Sequence, residues 1–238
     1  MKSDIHYNDI LSMVTHDLKS PMTAIMGELD MLSLDNLSKK EKEVSIKSAR
    51  KASKNILRLI ESILVMAKIE AGKENIEVQT VDDLQEVFQD IVSTFKYEIK
   101  SKQINFIIKI EKKLPIVSWD IDKLQYHCFN NIISNALKFT PEKGTIQFSV
   151  MTQDKNSIAI SIKDDGIGIC KEKRQTIFEK FDTHENQKVF KGNGLGLYNA
   201  YNFIKQHNGT IKVVDGLHNK GIGFRITVPI NPNKNKGN

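Results

Sequence analysis

The chain has 238 residues, 39% of them hydrophobic and 27% charged, with a formal net charge of +6; this is a globular composition with enough apolar residues for a core, and it suggests one or two domains. The basic excess is interspersed with acids, aromatics are only 7%, and no Lys/Arg block lies among them, which speaks against a nucleic-acid surface. Cys128 and Cys170 form no CxxC and lack histidines at zinc-ligand spacing, no apolar run approaches the ~20 residues of a membrane span, and no signal peptide precedes residue 10; the expected location is cytoplasmic, with free thiols, as a separate protein or as the cytoplasmic part of a larger membrane-bound one.

The first predicted element is a helix over residues 5–33, where Ile10, Met13, Val14, Ile25, Leu29 and Leu32 recur at helical spacing. Pro21 lies inside it and removes the donor for the Asp17 carbonyl, so a bend is expected there. Turn residues fill Ser33–Ser38, and Ser38 with Glu41 forms a capping-box pattern. A second helix follows over residues 39–71, striped by Ala49, Ala52, Ile56, Leu59, Ile63 and Met66 and stopped by Gly72. Two helices of roughly 30 residues are each about 45 Å long. Such a pair has little partner surface of its own, which favours a second copy and a four-helix bundle across a dimer. Packing on the rest of the same chain is the other solution.

Beyond residue 76 the pattern changes. Strands are predicted over 104–110, 145–150, 157–163, 209–214 and 223–230, with helices over 82–101, 121–139 and 195–206. That is a sheet layered with helices. The polar tail 232–238 reads as disordered.

Three clusters in this second region carry chemistry. In "NNIISNALKF", Asn131 and Asn135 share a helix face with Lys138 close by; two amides and an ammonium suit hydrated Mg²⁺ on a polyphosphate, although a pair of surface asparagines has the same pattern. In "DDGIGI", Asp164 ends a strand and Gly166 and Gly168 follow. A carboxylate there can accept from an exocyclic amine while glycines admit a ring closely, and a plain turn is the alternative. In "GNGLGL", Gly192, Gly194 and Gly196 open a helix whose N–H groups suit phosphate. Leu197 stands where a dinucleotide fingerprint requires glycine, and no P-loop lysine follows.

The order is more specific than any one cluster. An asparagine helix, an Asp-x-Gly-x-Gly strand end, "IFEKF" (Ile177–Phe181) and a Gly-x-Gly-x-Gly loop resemble the N, G1, F and G2 boxes of the histidine-kinase-type ATPases, the nucleotide fold shared with gyrase, Hsp90 and MutL. "MVTHDLKSPMTAI" resembles the H box of sensor histidine kinases, which gyrase, Hsp90 and MutL lack. The resemblance covers residues 8–231 and is to the catalytic core of a two-component sensor kinase.

This resemblance implies an α+β chain: a helical hairpin forming a dimeric four-helix bundle (1–72), then an α/β two-layer sandwich that binds ATP (76–231). It implies His16 as phospho-acceptor and Asp17 as the group that takes or orients its ring proton. Histidine as a residue type keeps a neutral imidazole nitrogen available near pH 7. Ser20 stands where relatives orient a water for dephosphorylation of the regulator. Asp164 is implied to read adenine; Asn135, with Asn131 near, to hold Mg²⁺; Lys138 to contact phosphate; and Gly166, Gly168, Phe178, Phe181, Gly192, Gly194, Gly196 and Leu197 to complete the nucleotide site. The implied cofactors are ATP and Mg²⁺, and the implied partners a response-regulator receiver domain and a second copy. Two departures stand out. Thr183 occupies the place of a common arginine, with Lys188 or Lys191 as substitutes, and Ser20 replaces the usual Thr or Asn. A scaffold or sensor that binds ATP and dimerises without phosphorylating is the alternative function.

Overall fold

A computed structural model describes residues 7–181 and 194–232. The chain forms two compact units that meet at Glu70 and Ala71.

The first unit is a helical hairpin of α1 (Tyr7–Leu32) and α2 (Lys39–Glu70). α2 starts on the expected capping box: Ser38 N–H donates to Glu41 Oε2 at 2.8 Å, and Glu41 N–H donates to Ser38 Oγ at 3.3 Å. Past its other end, Gly72 adopts φ +63°, the left-handed conformation of a helix stop. Ser45, Ala52, Leu59 and Met66 are buried, seven residues apart on one face of α2. Val14, Leu18, Pro21, Ile25 and Leu32 make the half-buried stripe of α1. Glu28 lies on that stripe and accepts from the Ser48 and Ser45 hydroxyls, which hold its carboxyl below the usual carboxylate range. Leu29, expected on the buried stripe, is 56% exposed. α1 continues unbroken through Pro21. The missing N–H of Pro21 removes one donor from the ladder without ending the helix.

The second unit is built on a five-stranded sheet, in the order β2 (Asn105–Ile110), β4 (Thr145–Asp154), β5 (Ser157–Asp164), β7 (Ile222–Pro229), β6 (Thr210–Asp215). β2 and β4 are parallel and the other pairs antiparallel. Register aligns the apolar positions in rows across the sheet: Phe148, Ile162 and Phe224 in one, Val150, Ile160 and Ile226 in the next, all buried. This face packs under α3 (Leu84–Ser93), α6 (Asn130–Phe139) and α7 (Gly196–Gln206). Phe88 of α3 joins the layers, with ring centroids 5.2 Å from Phe129 and 5.5 Å from Phe148.

Three local features differ from expectation. The helix expected over 82–101 splits into α3 and α4 (Lys96–Ser101), because the Ser93 and Thr94 hydroxyls turn back onto the carbonyls of Asp90 and Ile91 at 2.8 and 2.7 Å. A small second sheet pairs β1 (Gln79–Val81) with β3 (Val117–Trp119). The helix expected over 121–139 is α5 (Ile121–Lys123), a π-helical turn over Leu124–Phe129, and then α6.

Candidate functional site

His16 lies on α1 with its side chain 69% exposed, and its Nδ1 is 3.3 Å from Asp17 Oδ1. The pairing engages one ring nitrogen and leaves Nε2 directed away from the carboxylate. Ser20 is exposed one turn further along α1.

In the second unit, Asp164 is the last residue of β5 and falls in register with Ile146. It shares the alternation of Ile158, Ile160 and Ile162, so the pleat turns its side chain toward the helix-covered face. Only 2% of the residue is exposed. Oδ1 accepts from Gly166 N–H at 2.9 Å and from Ile222 N–H at 3.2 Å. Burial pushes the carboxyl up to about 6; the two N–H bonds oppose that rise, and the neighbouring Asp165 charge adds to it.

Glycines line this carboxylate because nothing larger fits. A Cβ on Gly166 would lie 2.6 Å from Phe139 O, and one on Gly221 would lie 2.1 Å from Asp164 O. Gly168 and Gly221 both sit at φ +68°. The loop 216–222 was not anticipated from sequence as part of the site, yet Leu217 N–H donates to Asp164 O at 2.8 Å and Ile222 N–H reaches the carboxylate. Its signal was the "GLHNKGIGF" glycine spacing, which reads as an ordinary hairpin turn until it closes on Asp164.

The asparagine helix stands beside this strand end. Asn131, Asn135 and Lys138 are all half-buried on α6. Asn131 Nδ2 donates to His127 O at 2.8 Å and to Gly196 O at 3.4 Å. Lys138 Nζ lies 4.9 Å from the Phe139 ring centroid, and burial lowers its ammonium below the usual lysine range. Lys102 anchors the far end of α6, donating to the carbonyls of Leu137 and Thr140, both at 2.6 Å.

Phe178 packs on Tyr201 and Phe224, at 5.5 and 6.2 Å between centroids. Phe181 is buried at φ +58°, and its N–H donates to Gly194 O at 3.2 Å, so the two boxes meet across the chain segment between them. Gly194 lies at φ +63°, Gly196 opens α7, and Leu197 packs against the core. Gly192, Thr183, Lys188 and Lys191 lie outside the described residues, as does the tail from 233.

Among the described residues no group of three or more His, Cys, Asp or Glu side chains is placed to hold a metal ion. Asn131 and Asn135 give α6 an amide-bearing face, a donor type compatible with Mg²⁺, which needs few protein ligands when it arrives with polyphosphate and water. Among the described residues no helix is long and apolar enough to cross a membrane.

Comparison with known proteins agrees with this geometry. Residues 7–72 match the His Kinase A (phospho-acceptor) domain, and residues 120–232 match the histidine kinase-, DNA gyrase B- and HSP90-like ATPase. The chain is 32% identical over 229 residues to the adaptive-response sensory kinase SasA of Microcystis aeruginosa, covering 94% of this chain and 59% of that one. It is 29% identical over 238 residues to the sensor protein EvgS of Escherichia coli, covering 97% of this chain and 19% of that one. The chain thus spans three fifths or less of these relatives' lengths. The fold is shared with the histidine kinase ThkA solved in complex with the response regulator TrrA, at TM-score 0.69 and 21% identity over 95% of this chain and 62% of that one. It is shared also with the Acinetobacter baumannii histidine kinase AdeS, at TM-score 0.67 and 18% identity over 90% of this chain and 98% of that one. A phospho-acceptor hairpin bearing an exposed histidine, followed in one chain by an ATPase sheet with its buried aspartate, places this protein in the histidine kinase family.

Proposed function

We propose that the chain is an ATP-dependent protein histidine kinase that phosphorylates itself on His16 and passes the phosphoryl group to an aspartate of a response-regulator receiver domain. The observation that carries this reading is the exposed His16–Asp17 pair in the same chain as the buried Asp164 carboxylate of an ATPase-type sheet.

Asp164 accepts from the adenine amine, and Gly166, Gly168 and Gly221 leave room for the ring. Lys138 and the α7 N-terminus face the phosphates. Asn135 is the residue that would hold Mg²⁺, and the ion would supply charge neutralisation for the phosphates. Asp17 accepts the His16 Nδ1 proton in a hydrogen bond, which fixes the tautomer with its lone pair on Nε2. His16 Nε2 forms the N–P bond as the bond from the γ-phosphorus to its bridging oxygen breaks, and ADP carries away that oxygen's electron pair. Asp17 then offsets the positive charge left on the ring.

The working unit is a homodimer. Met22, Met26 and Leu29 on α1, and Ile46, Leu57, Ile60 and Leu64 on α2, are large apolar residues exposed on the isolated hairpin. On each helix they continue the buried stripe around one side, as two hairpins packed into a four-helix bundle require. Incubating the labelled chain with purified receiver domains tests the reading: label should leave the chain and appear on one receiver's aspartate, and label that stays on the chain with every receiver counts against phosphotransfer.

A further inference from the structure

We infer that Asn131 is a positioning residue that ties the phosphate-facing end of α7 to the asparagine helix, leaving the metal to Asn135. This rests on the reading of the site as a nucleotide site.

Asn131 lies in the first turn after the π-helical segment, in which Asn130 N–H bonds back to Gln125 O, five residues behind. A π turn takes one extra residue into a helix, so the helix beyond it is rotated by about 100° relative to an unbroken α-helix. Here that turn precedes an Asn131 side chain facing α7. Its amide is then oriented by two acceptors. Nδ2 donates to His127 O, one turn back, and to Gly196 O, the first residue of α7. Both partners are carbonyl oxygens, so the flipped amide would set oxygen against oxygen twice, and the orientation is fixed by chemistry. The contact is close: a Cβ on Gly196 would come within 3.3 Å of Asn131 Cγ. His127 is itself held, its ring stacked on Phe203 of α7 at 4.8 Å between centroids. Asn131 and His127 therefore bind the two helices at successive turns. Asn135, one turn beyond, extends the same face past this seam.

A latch and a metal ligand respond oppositely to one substitution. Asn131→Asp keeps a metal-ligating oxygen and adds charge, which favours Mg²⁺; it also removes the donor and sets a carboxylate against two carbonyls. The experiment measures ATP affinity of the full chain by calorimetry in excess Mg²⁺ and in EDTA, with the Mg²⁺ concentration at half-effect, for wild type, Asn131→Ala, Asn131→Asp and Asn135→Ala. Adenosine binding, which needs the Asp164 end alone, reports whether each variant is folded. Asn131→Ala is expected to weaken ATP about tenfold with and without Mg²⁺, with the Mg²⁺ half-point and adenosine affinity unchanged. Asn131→Asp should be at least as weak, and Asn135→Ala should move the Mg²⁺ half-point. Asn131→Ser, which keeps a short donor, should recover part of the loss. A Mg²⁺ half-point shifted by Asn131→Ala, or tighter Mg²⁺ binding by Asn131→Asp, overturns the assignment, as does unchanged ATP affinity in Asn131→Ala. Failure of the wild type to bind ATP would instead refute the nucleotide reading.

Discussion

Replacing Asp164 with asparagine should stabilise the empty protein and weaken its hold on ATP at the same time. The side chain is 2% exposed, and burial raises its carboxyl from 3.8 to about 6. At pH 7 the folded state therefore holds an anion that the unfolded chain holds more comfortably. The difference of about two pH units corresponds to about 3 kcal/mol, as an order of magnitude. The sign comes from proton counting. Between pH 3.8 and about 6 the folded state binds more protons than the unfolded one, so this group's penalty is absent in acid, grows through that window and is complete above it. An amide resembles the protonated acid and can still accept from Gly166 and Ile222, so Asp164→Asn should recover much of the penalty. For a unit of this size that is roughly 5–10 °C in melting temperature.

With ATP the order reverses. The carboxylate accepts a charge-assisted bond from the adenine amine, and its loss costs about 1.5–3 kcal/mol, or roughly 10- to 150-fold in affinity. The assay is thermal unfolding of both proteins from pH 4.5 to 8, with and without saturating ATP. The variant should melt higher without nucleotide at pH 7, the gap should close toward pH 4.5, and ATP should raise the wild type's melting temperature more. An empty variant that melts at or below the wild type at pH 7, or a gap that does not depend on pH, refutes the reasoning.

Gly221→Ala forces a Cβ to 2.1 Å from Asp164 O at φ +68°; it should destabilise the second unit by at least about 1–2 kcal/mol and abolish ATP binding, which melting and calorimetry check, while Gly27→Ala, where a Cβ meets nothing within 4 Å, should be harmless. Leu57→Lys with Leu64→Lys puts two charges on the exposed apolar side of α2 and should turn residues 1–72 from dimer to monomer in sedimentation without loss of helicity. Ser20→Ala should leave His16 labelling intact and lengthen the half-life of a phosphorylated regulator, and Ser20→Thr should shorten it, because threonine's stiffer χ1 fixes the hydroxyl better.

The long periodic elements were legible because their physics is local. The Ser38–Glu41 box, Gly72 and the alternation of 157–163 each depend on neighbours a few residues apart. The burial of Asp164 was half legible: its place after Ile158, Ile160 and Ile162 sets the face, but its exposure depends on the loop from Gly216 to Ile222, more than 50 residues later in the chain. The same limit hides the way the chain enters the second unit, where Lys123 pairs with Glu74 at 2.7 Å, Glu77 N–H donates to Asp120 at 2.8 Å, and Gln206 donates to Glu74 O at 3.0 Å. Three-residue strands such as β1 and β3 are too short to show alternation. The apolar stripe of α2 was legible too: Ala52, Leu59 and Met66 are buried while Leu57 and Leu64, off the stripe, are exposed; what periodicity did not show is that those exposed residues form a second apolar side. The π turn left no mark in "LQYHCF", since apolar spacing tolerates one extra residue.

Autophosphorylation tests the kinase reading most directly. The full chain is incubated with γ-labelled ATP and Mg²⁺, digested, and the labelled peptide located, beside His16→Gln. Label that is lost in acid, resists alkali, maps to the peptide containing His16 and disappears in His16→Gln, with ATP affinity unchanged in that variant, is the expected result. Acid-stable label, label that survives in His16→Gln, or ATP bound without any label contradicts it.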